Sequence, residues 1–392
     1  MNYWYILAVI PVFGLLVLVH ELGHFLAAKW SGIRVEEFGL GFPPRIVGIR
    51  RRANKGWEVI WLNKIYEEES PFDAPAPRNT IYSLNLLPIG GFVRMTGEDG
   101  STVDEYGNHD PQSFTAKSAG KRFITLAAGV VMNFLLAIVL FSIAYGPGVG
   151  QPDYPAQVAS VVPNSPAAQA GLRPGDKILA INDKPVQYMS EISLAVQGVV
   201  STNHDKAPSA TVPIKLTVRH PDSTAPVTMQ VNARLHPPQG QGALGFSSVS
   251  QRVYVTVPLW QAPLKGISYT FNVTGQLIQG LVQMVTGQVQ VQVAGPVGIA
   301  KYTGQAAQMV TEIGWWPILS LTGLLSLNLA VVNSLPFPAL DGGRIFLILI
   351  ELLRGGKRIK PEREAIINFV GMAVLLALMF IITLSDVWHW QS

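Results

Sequence analysis

Four stretches of this sequence are apolar for long enough to cross a lipid bilayer, and nothing else about it limits its fold as severely. A spanning helix needs about 20 residues, and runs near 3–28, 120–145, 315–338 and 366–385 supply them. Inside hydrocarbon the backbone has no water to bond, so each run must satisfy its own N–H and C=O groups as a helix. Composition agrees: only 14% of 392 residues are charged and mean hydropathy is +0.29, too apolar for an ordinary soluble enzyme. The third run carries Asn328 and Asn333 and ends in prolines. Polar groups at that depth point to an internal site.

The net charge of +4 does not imply nucleic acid, because the basic residues gather beside the apolar runs, where cytoplasmic membrane flanks carry them. Lys29, Arg34, Arg45 and Arg50 to Arg52 follow the first run, and Lys117, Lys121 and Arg122 precede the second. Arg344, Arg354, Lys357, Arg358, Lys360 and Arg363 lie between the third and fourth. All of these are assigned to the cytoplasmic side, which places both termini and residues 146–314 outside. The first run lacks a basic leader and an A-x-A-like cleavage site, so it is read as a retained helix.

Between the spans the pattern changes. Residues 31–118 are expected to form a membrane-associated β region, in which WEVIWL and IYSLNLLPIGGFVRM read as short strands interrupted by Pro and Gly. The second of these can dip into the membrane if protein or a water-filled cavity satisfies its backbone; a plain cytoplasmic hairpin is the alternative. Residues 66–77 read as a loop. Residues 150–238 read as a small mixed α/β domain, with IKLTVRH and VTMQVNARL as alternating strands. Residues 239–313 hold an amphipathic helix within 259–290 and a connecting segment.

The chemistry begins with HELGH at 20–24, inside the first run. On a helix, residues four apart share a face, so His20 and His24 can turn two imidazoles to one metal while Glu21 takes a proton from the attacking water. The bland alternative is a histidine pair at a helix end near the headgroups. With no cysteine in the chain, thiolate sites and disulfides are excluded, and any metal must be held by His, Asp or Glu. A catalytic zinc takes three protein ligands and leaves a position open. His109, His204, His220, His236 and His389 qualify by type but fall in loops, the soluble domain or the far terminus. Asp341 is the better third ligand, since it follows the third span at the depth HELGH occupies on the first. Pro336 and Pro338 break the helix there, and Gly342 and Gly343 are read as permitting a tight turn. A structural turn capped by Asp341 is the competing reading.

HELGH in a first span, AAGVVMNF in a second, GGFVRMTGED between them and LNLAVVNSLPFPALDGGR in a third together resemble the site-2 protease family. The nearest group is the bacterial zinc intramembrane metalloproteases with one PDZ domain, which cleave anti-sigma factors and remnant signal peptides. The resemblance implies a membrane α-helical fold with four transmembrane helices, a membrane-associated β-hairpin or sheet and an inserted extracytoplasmic PDZ-like α/β domain, carried here by SPAAQAGLRPGDKILAINDKPV. It implies a multi-pass protein of the bacterial cytoplasmic (inner) membrane. Zn2+ would be bound by His20, His24 and Asp341, with Glu21 as general base and Asn333 contacting substrate or the oxyanion. Gly90, Gly91, Phe92, Val93, Arg94 and Met95 would pair with an extended substrate, and Asn328 is a weaker substrate-binding candidate. Either Asn can instead be interhelical glue. The partners implied are single-pass membrane proteins, possibly cut once already, with the PDZ-like domain as a size filter or a plain spacer. The family often has proline where this chain has Val130, which bears on helix geometry near Asn133 and not on the chemistry. A secondary transporter would show inverted repeats, and none is seen. A PDZ scaffold would not need Glu21 or Asp341, and an anchored soluble protease would carry HELGH outside the membrane.

Overall fold

The computed structural model describes residues 4–52, 56–62, 79–98, 110–203, 210–238, 240–287, 295–359 and 361–388; the loop expected at 66–77 and His109, His204 and His389 lie outside them. Two compact units are present, Met1–Pro147 with Val257–Ser392, and Gly148–Thr256.

The first unit begins with α1 (Trp4–Ser31), followed by β1 (Val35–Arg52), β2 (Gly56–Trp61), β3 (Ile81–Met95) and α2 (Ala119–Tyr145). The strands form one sheet in the order β2-β1-β3. Phe38 pairs with both Tyr82 and Val93, and Gly39 with both Ser83 and Phe92, so the two arms of β3 flank the first half of β1. Residues 81–95 are therefore one bent strand paired to β1, where the sequence suggested short strands or a self-contained hairpin. The omission of β1 has a physical cause. Gly39, Gly41, Pro43 and Pro44 interrupt the alternation by which a strand is recognised. Leu40, Phe42, Ile46, Leu84, Leu86 and Leu87 remain exposed, giving the sheet an apolar rim.

In the second unit β4 (Gln151–Asp153), β5 (Val158–Val161), α3 (Pro166–Gln169), β6 (Lys177–Ile181), β7 (Lys184–Pro185), α4 (Met189–Thr202), β8 (Thr211–Arg219) and β9 (Val227–Arg234) precede β10 (Phe246–Ser248) and β11 (Val253–Val255). Four strands form a sheet in the order β7-β6-β8-β9, and β10 and β11 return to pair with β5 and β4. The unit thus runs past the boundary expected at 238. Ile214, Leu216 and Val218 alternate along β8 and meet Ile178, Ile192 and Val231 in one buried apolar core. Ser165 accepts the amide of Ala168 at 3.2 Å, capping α3.

The chain then returns to the first unit as α5 (Ala262–Val285), α6 (Pro296–Ile313), α7 (Trp316–Ser334), α8 (Asp341–Leu353) and α9 (Pro361–Trp388). Helical segments Ala8–Ser31, Ala119–Tyr145, Trp316–Ser334 and Arg363–Trp388 are long and apolar enough to cross a membrane, matching the expected spans. α5 is the amphipathic helix expected within 259–290. α6 and α8 were not foreseen, the one small-residue-rich and polar, the other only 13 residues long with two leading glycines.

α2 is the hub of this unit. α1 comes so close that a Cβ on Gly23 would lie 2.3 Å from the Ala128 carbonyl oxygen. On another face Ala137 and Phe141 pack with Val273 of α5 and Leu327 of α7, and Ser326 Oγ donates to the Asn133 carbonyl at 2.8 Å. α8 is tied down at two places. The buried Arg122 of α2 donates to both carboxylate oxygens of Glu351 at 2.7 and 2.8 Å, and Arg344 reaches Glu98.

Candidate metal centre

Leu, Val and Ala around the motif make α1 helical through residues 20–24, and the helical period turns His20 and His24 inward at 7% and 6% exposure. Asp341 arrives from the other direction as the first residue of α8. The turn before it is tight: a Cβ on Gly342 would sit 2.2 Å from the Leu335 carbonyl oxygen, and one on Gly343 2.2 Å from that of Phe337. These glycines are helical and serve close approach, which corrects the expectation that they permit the turn itself. Positive φ falls instead on Ala339, at 74°.

The result is a convergence of donor atoms. Asp341 Oδ2 lies 3.0 Å from His20 Nε2 and 3.2 Å from His24 Nε2, and the two Nε2 atoms are 3.2 Å apart. Among the described residues this is the one group of three whose ligand atoms gather within 4.8 Å. His24 Nδ1–H donates to the Thr125 carbonyl at 2.9 Å, which leaves His24 Nε2 with a bare lone pair. Asp341 Oδ2 is buried without a hydrogen-bond donor. Lone pairs and a carboxylate facing one point repel unless a cation stands among them, so the donor set fits a divalent metal. Two imidazoles and a carboxylate suit zinc.

The other predicted residues are placed as follows. Glu21 is partly buried beside β3, where a Cβ on Gly91 would lie 3.8 Å from Glu21 Cγ. Asn333 Nδ2 stands 3.5 Å from His20 Nε2. Gly90 and Gly91 are buried, Phe92 and Val93 half-buried, and Arg94 exposed. Met95 is 5% exposed and packs with Val35, Leu126 and Ile348, so it holds the sheet on the helices. Asn328 lies exposed on α7 and is not brought to the cluster. Of the alternative histidines described, His220 is paired with Asp176 at 2.6 Å in the second unit.

Sequence reasoning missed the contribution of α2. A Cβ on Gly129 would meet His24 Nε2 at 2.4 Å and His20 Cε1 at 2.8 Å, and Asn133 Nδ2 lies 3.3 Å from His20 Nδ1. Next to Gly129 and Asn333 in the chain, Val130 and Ser334 help line an apolar cavity of about 590 Å3 with Phe134, Ile278, Ala330 and Leu335.

The sequence matches the profile of peptidase family M50 over residues 8–64 and 73–378. The chain belongs to that family. Relatives support this along the whole length. A Clostridium acetobutylicum protein is 32% identical over 391 residues, covering 99% of this chain and 98% of its own. The zinc metalloprotease RasP of Geobacillus kaustophilus is 29% identical over 457 residues, covering 97% of both chains. The regulator of sigma-W protease RasP of Bacillus subtilis is 28% identical over 458, covering 97% of this chain and 98% of its own. As a member of family M50 the protein is a zinc metalloprotease of the site-2 protease type, and four of its helices are long and apolar enough to cross a membrane.

Proposed function

We propose that this M50 protease is a zinc endopeptidase that cuts peptide bonds within or beside the transmembrane segments of other membrane proteins. The observation that carries the reading is where the donor atoms lie: His20 and His24 belong to the apolar segment Ala8–Ser31, and Asp341 meets them. His20, His24 and Asp341 hold the zinc. Bound zinc supplies Lewis acidity toward the scissile carbonyl and toward the attacking water. Glu21 takes the proton from that water and returns it to the leaving amine. The Asn333 carboxamide steadies the oxyanion from beside His20.

A helical substrate hides its peptide bonds in internal hydrogen bonds, so it must be drawn out before cleavage. β3 is the terminal strand in the sheet order, and its arm at 90–94 runs past Glu21. Strand addition to that arm holds the substrate extended beside the base. The apolar rim of the sheet lets this happen at membrane depth.

The basic flanks put HELGH and Asp341 toward the cytoplasm and Gly148–Thr256 outside. That unit is read as the PDZ-like domain, acting as a size filter that admits substrates already trimmed outside the bacterial inner membrane. Anti-sigma factors and remnant signal peptides are the substrate classes proposed; the name of the Bacillus subtilis relative points to sigma-factor regulation in that organism. The test is Glu21→Gln, which removes the base and leaves the ligands. Cleavage of a membrane-anchored reporter should stop while zinc is retained, and normal cleavage by that variant ends this reading.

A further inference from the structure

Thr125, Gly129 and Asn133 stand four residues apart on α2 and so share one face of it. That face meets both imidazoles. The Thr125 carbonyl accepts from His24 Nδ1–H at 2.9 Å, the missing side chain of Gly129 makes room for both rings, and the Asn133 carboxamide lies 3.3 Å from His20 Nδ1. His24 therefore has a fixed tautomer, with its proton on Nδ1 and its Nε2 lone pair toward Asp341. As an Nε2 ligand His20 would likewise carry its proton on Nδ1, and at 7% exposure that N–H is stabilised by an acceptor.

Asn133 can supply one. It is fully buried, its Oδ1 has no hydrogen-bond donor, and its backbone is held by Ser326 at 2.8 Å. With Nδ2 toward His20, the imidazole proton would have to sit on Nε2, in the midst of the ligand atoms. A half-turn of the carboxamide, whose two ends have the same shape, pairs Oδ1 with Nδ1–H and bares Nε2.

We propose that Asn133 is a positioning residue for the metal centre, its Oδ1 accepting from His20 Nδ1–H, so that α2 sets the tautomer of both histidines. Such outer partners fix ring orientation and raise ligand basicity. The proposal rests on His20 and His24 being zinc ligands, and the experiment separates the two claims.

Zinc affinity of the full-length protein in detergent micelles is measured by competition with a chelator, for the wild type and for His24→Ala, Asn133→Ala, Asn133→Asp and Ser326→Ala. Asn133→Ala should bind zinc about 10–100-fold more weakly than wild type. Asn133→Asp presents only acceptors to His20 and should stay within about threefold of wild type. Ser326→Ala loosens the same helix contact without touching the imidazole and should bind as wild type does. A packing role for Asn133 predicts the reverse ranking, with a buried carboxylate worse than alanine. Wild-type affinity in Asn133→Ala overturns the proposal, as does weak binding by a folded Asn133→Asp, which decides the matter if the alanine variant does not fold. Wild-type affinity in His24→Ala overturns the ligand assignment itself.

Discussion

Arg122 and Glu351 offer a sharp test of what holds the centre together. Their side chains are 8% and 10% exposed, and one guanidinium nitrogen reaches both carboxylate oxygens. Removing one partner of a buried pair strands the other charge, at a cost of about 3–5 kcal/mol. The two truncations should differ. Arg122→Ala leaves Glu351 with Arg358, whose Nε lies 3.3 Å away on a side chain 44% exposed and so partly screened. A loss of about 3 kcal/mol is expected, roughly two orders of magnitude in the unfolding equilibrium. Glu351→Ala strands a guanidinium whose Nε already has no partner, and should cost about 4–5 kcal/mol. The double variant Arg122→Met with Glu351→Leu replaces the pair by apolar groups of similar volume and should come within about 1 kcal/mol of wild type. Equilibrium unfolding of zinc-free protein in mixed micelles reads these numbers without the linkage that bound metal adds. Because Asp341 begins the helix on which Glu351 sits, both single variants should also weaken zinc binding. Single losses below about 1 kcal/mol, or a double variant as unstable as the sum of the singles, would refute the view that this pair clamps α8 to α2.

Gly129→Ala should abolish zinc binding while leaving α2 helical, since its Cβ would stand 2.4 Å from His24 Nε2; metal content beside far-ultraviolet circular dichroism checks both parts. Gly343→Ala should lower zinc content and activity together by shifting the start of α8, because the new methyl would lie 2.2 Å from the Phe337 carbonyl oxygen; reporter cleavage and bound zinc are measured on one preparation. Joining residue 148 to 256 by a short linker should leave zinc binding intact, since Gln151 and Val255 are paired neighbours and the ends of the excised unit lie close together. If that unit filters substrates by size, the excised enzyme should also cut an untrimmed reporter that the full chain spares, seen by gel mobility.

The apolar spans and the meeting of His20, His24 and Asp341 were legible in the sequence because each rests on a local rule. A bilayer demands a run of apolar residues, and two imidazoles on one helix demand a spacing of four. Asp341 was legible by depth, from where Pro336 and Pro338 end α7. What escaped depends on partners distant in the chain. β1 lacks alternation, and becomes a strand because β2 and β3 pair with it. α8 is too short to stand out and is fixed by Arg122, more than two hundred residues away; that arginine looked like a membrane-flank charge and is a buried clamp. Asn328 and Met95 were drawn in by residue type and by position in a motif. Helical geometry turns the first away from the cluster, and the sheet turns the second into the core.

Metal analysis of purified wild type, Glu21→Gln, His24→Ala and Asp341→Ala, paired with cleavage of a membrane-anchored reporter, tests the account most directly. It predicts about one zinc per chain in the wild type and in Glu21→Gln, little in the two ligand variants, and cleavage by the wild type alone. Full zinc content in His24→Ala and Asp341→Ala, or cleavage by Glu21→Gln, would contradict it.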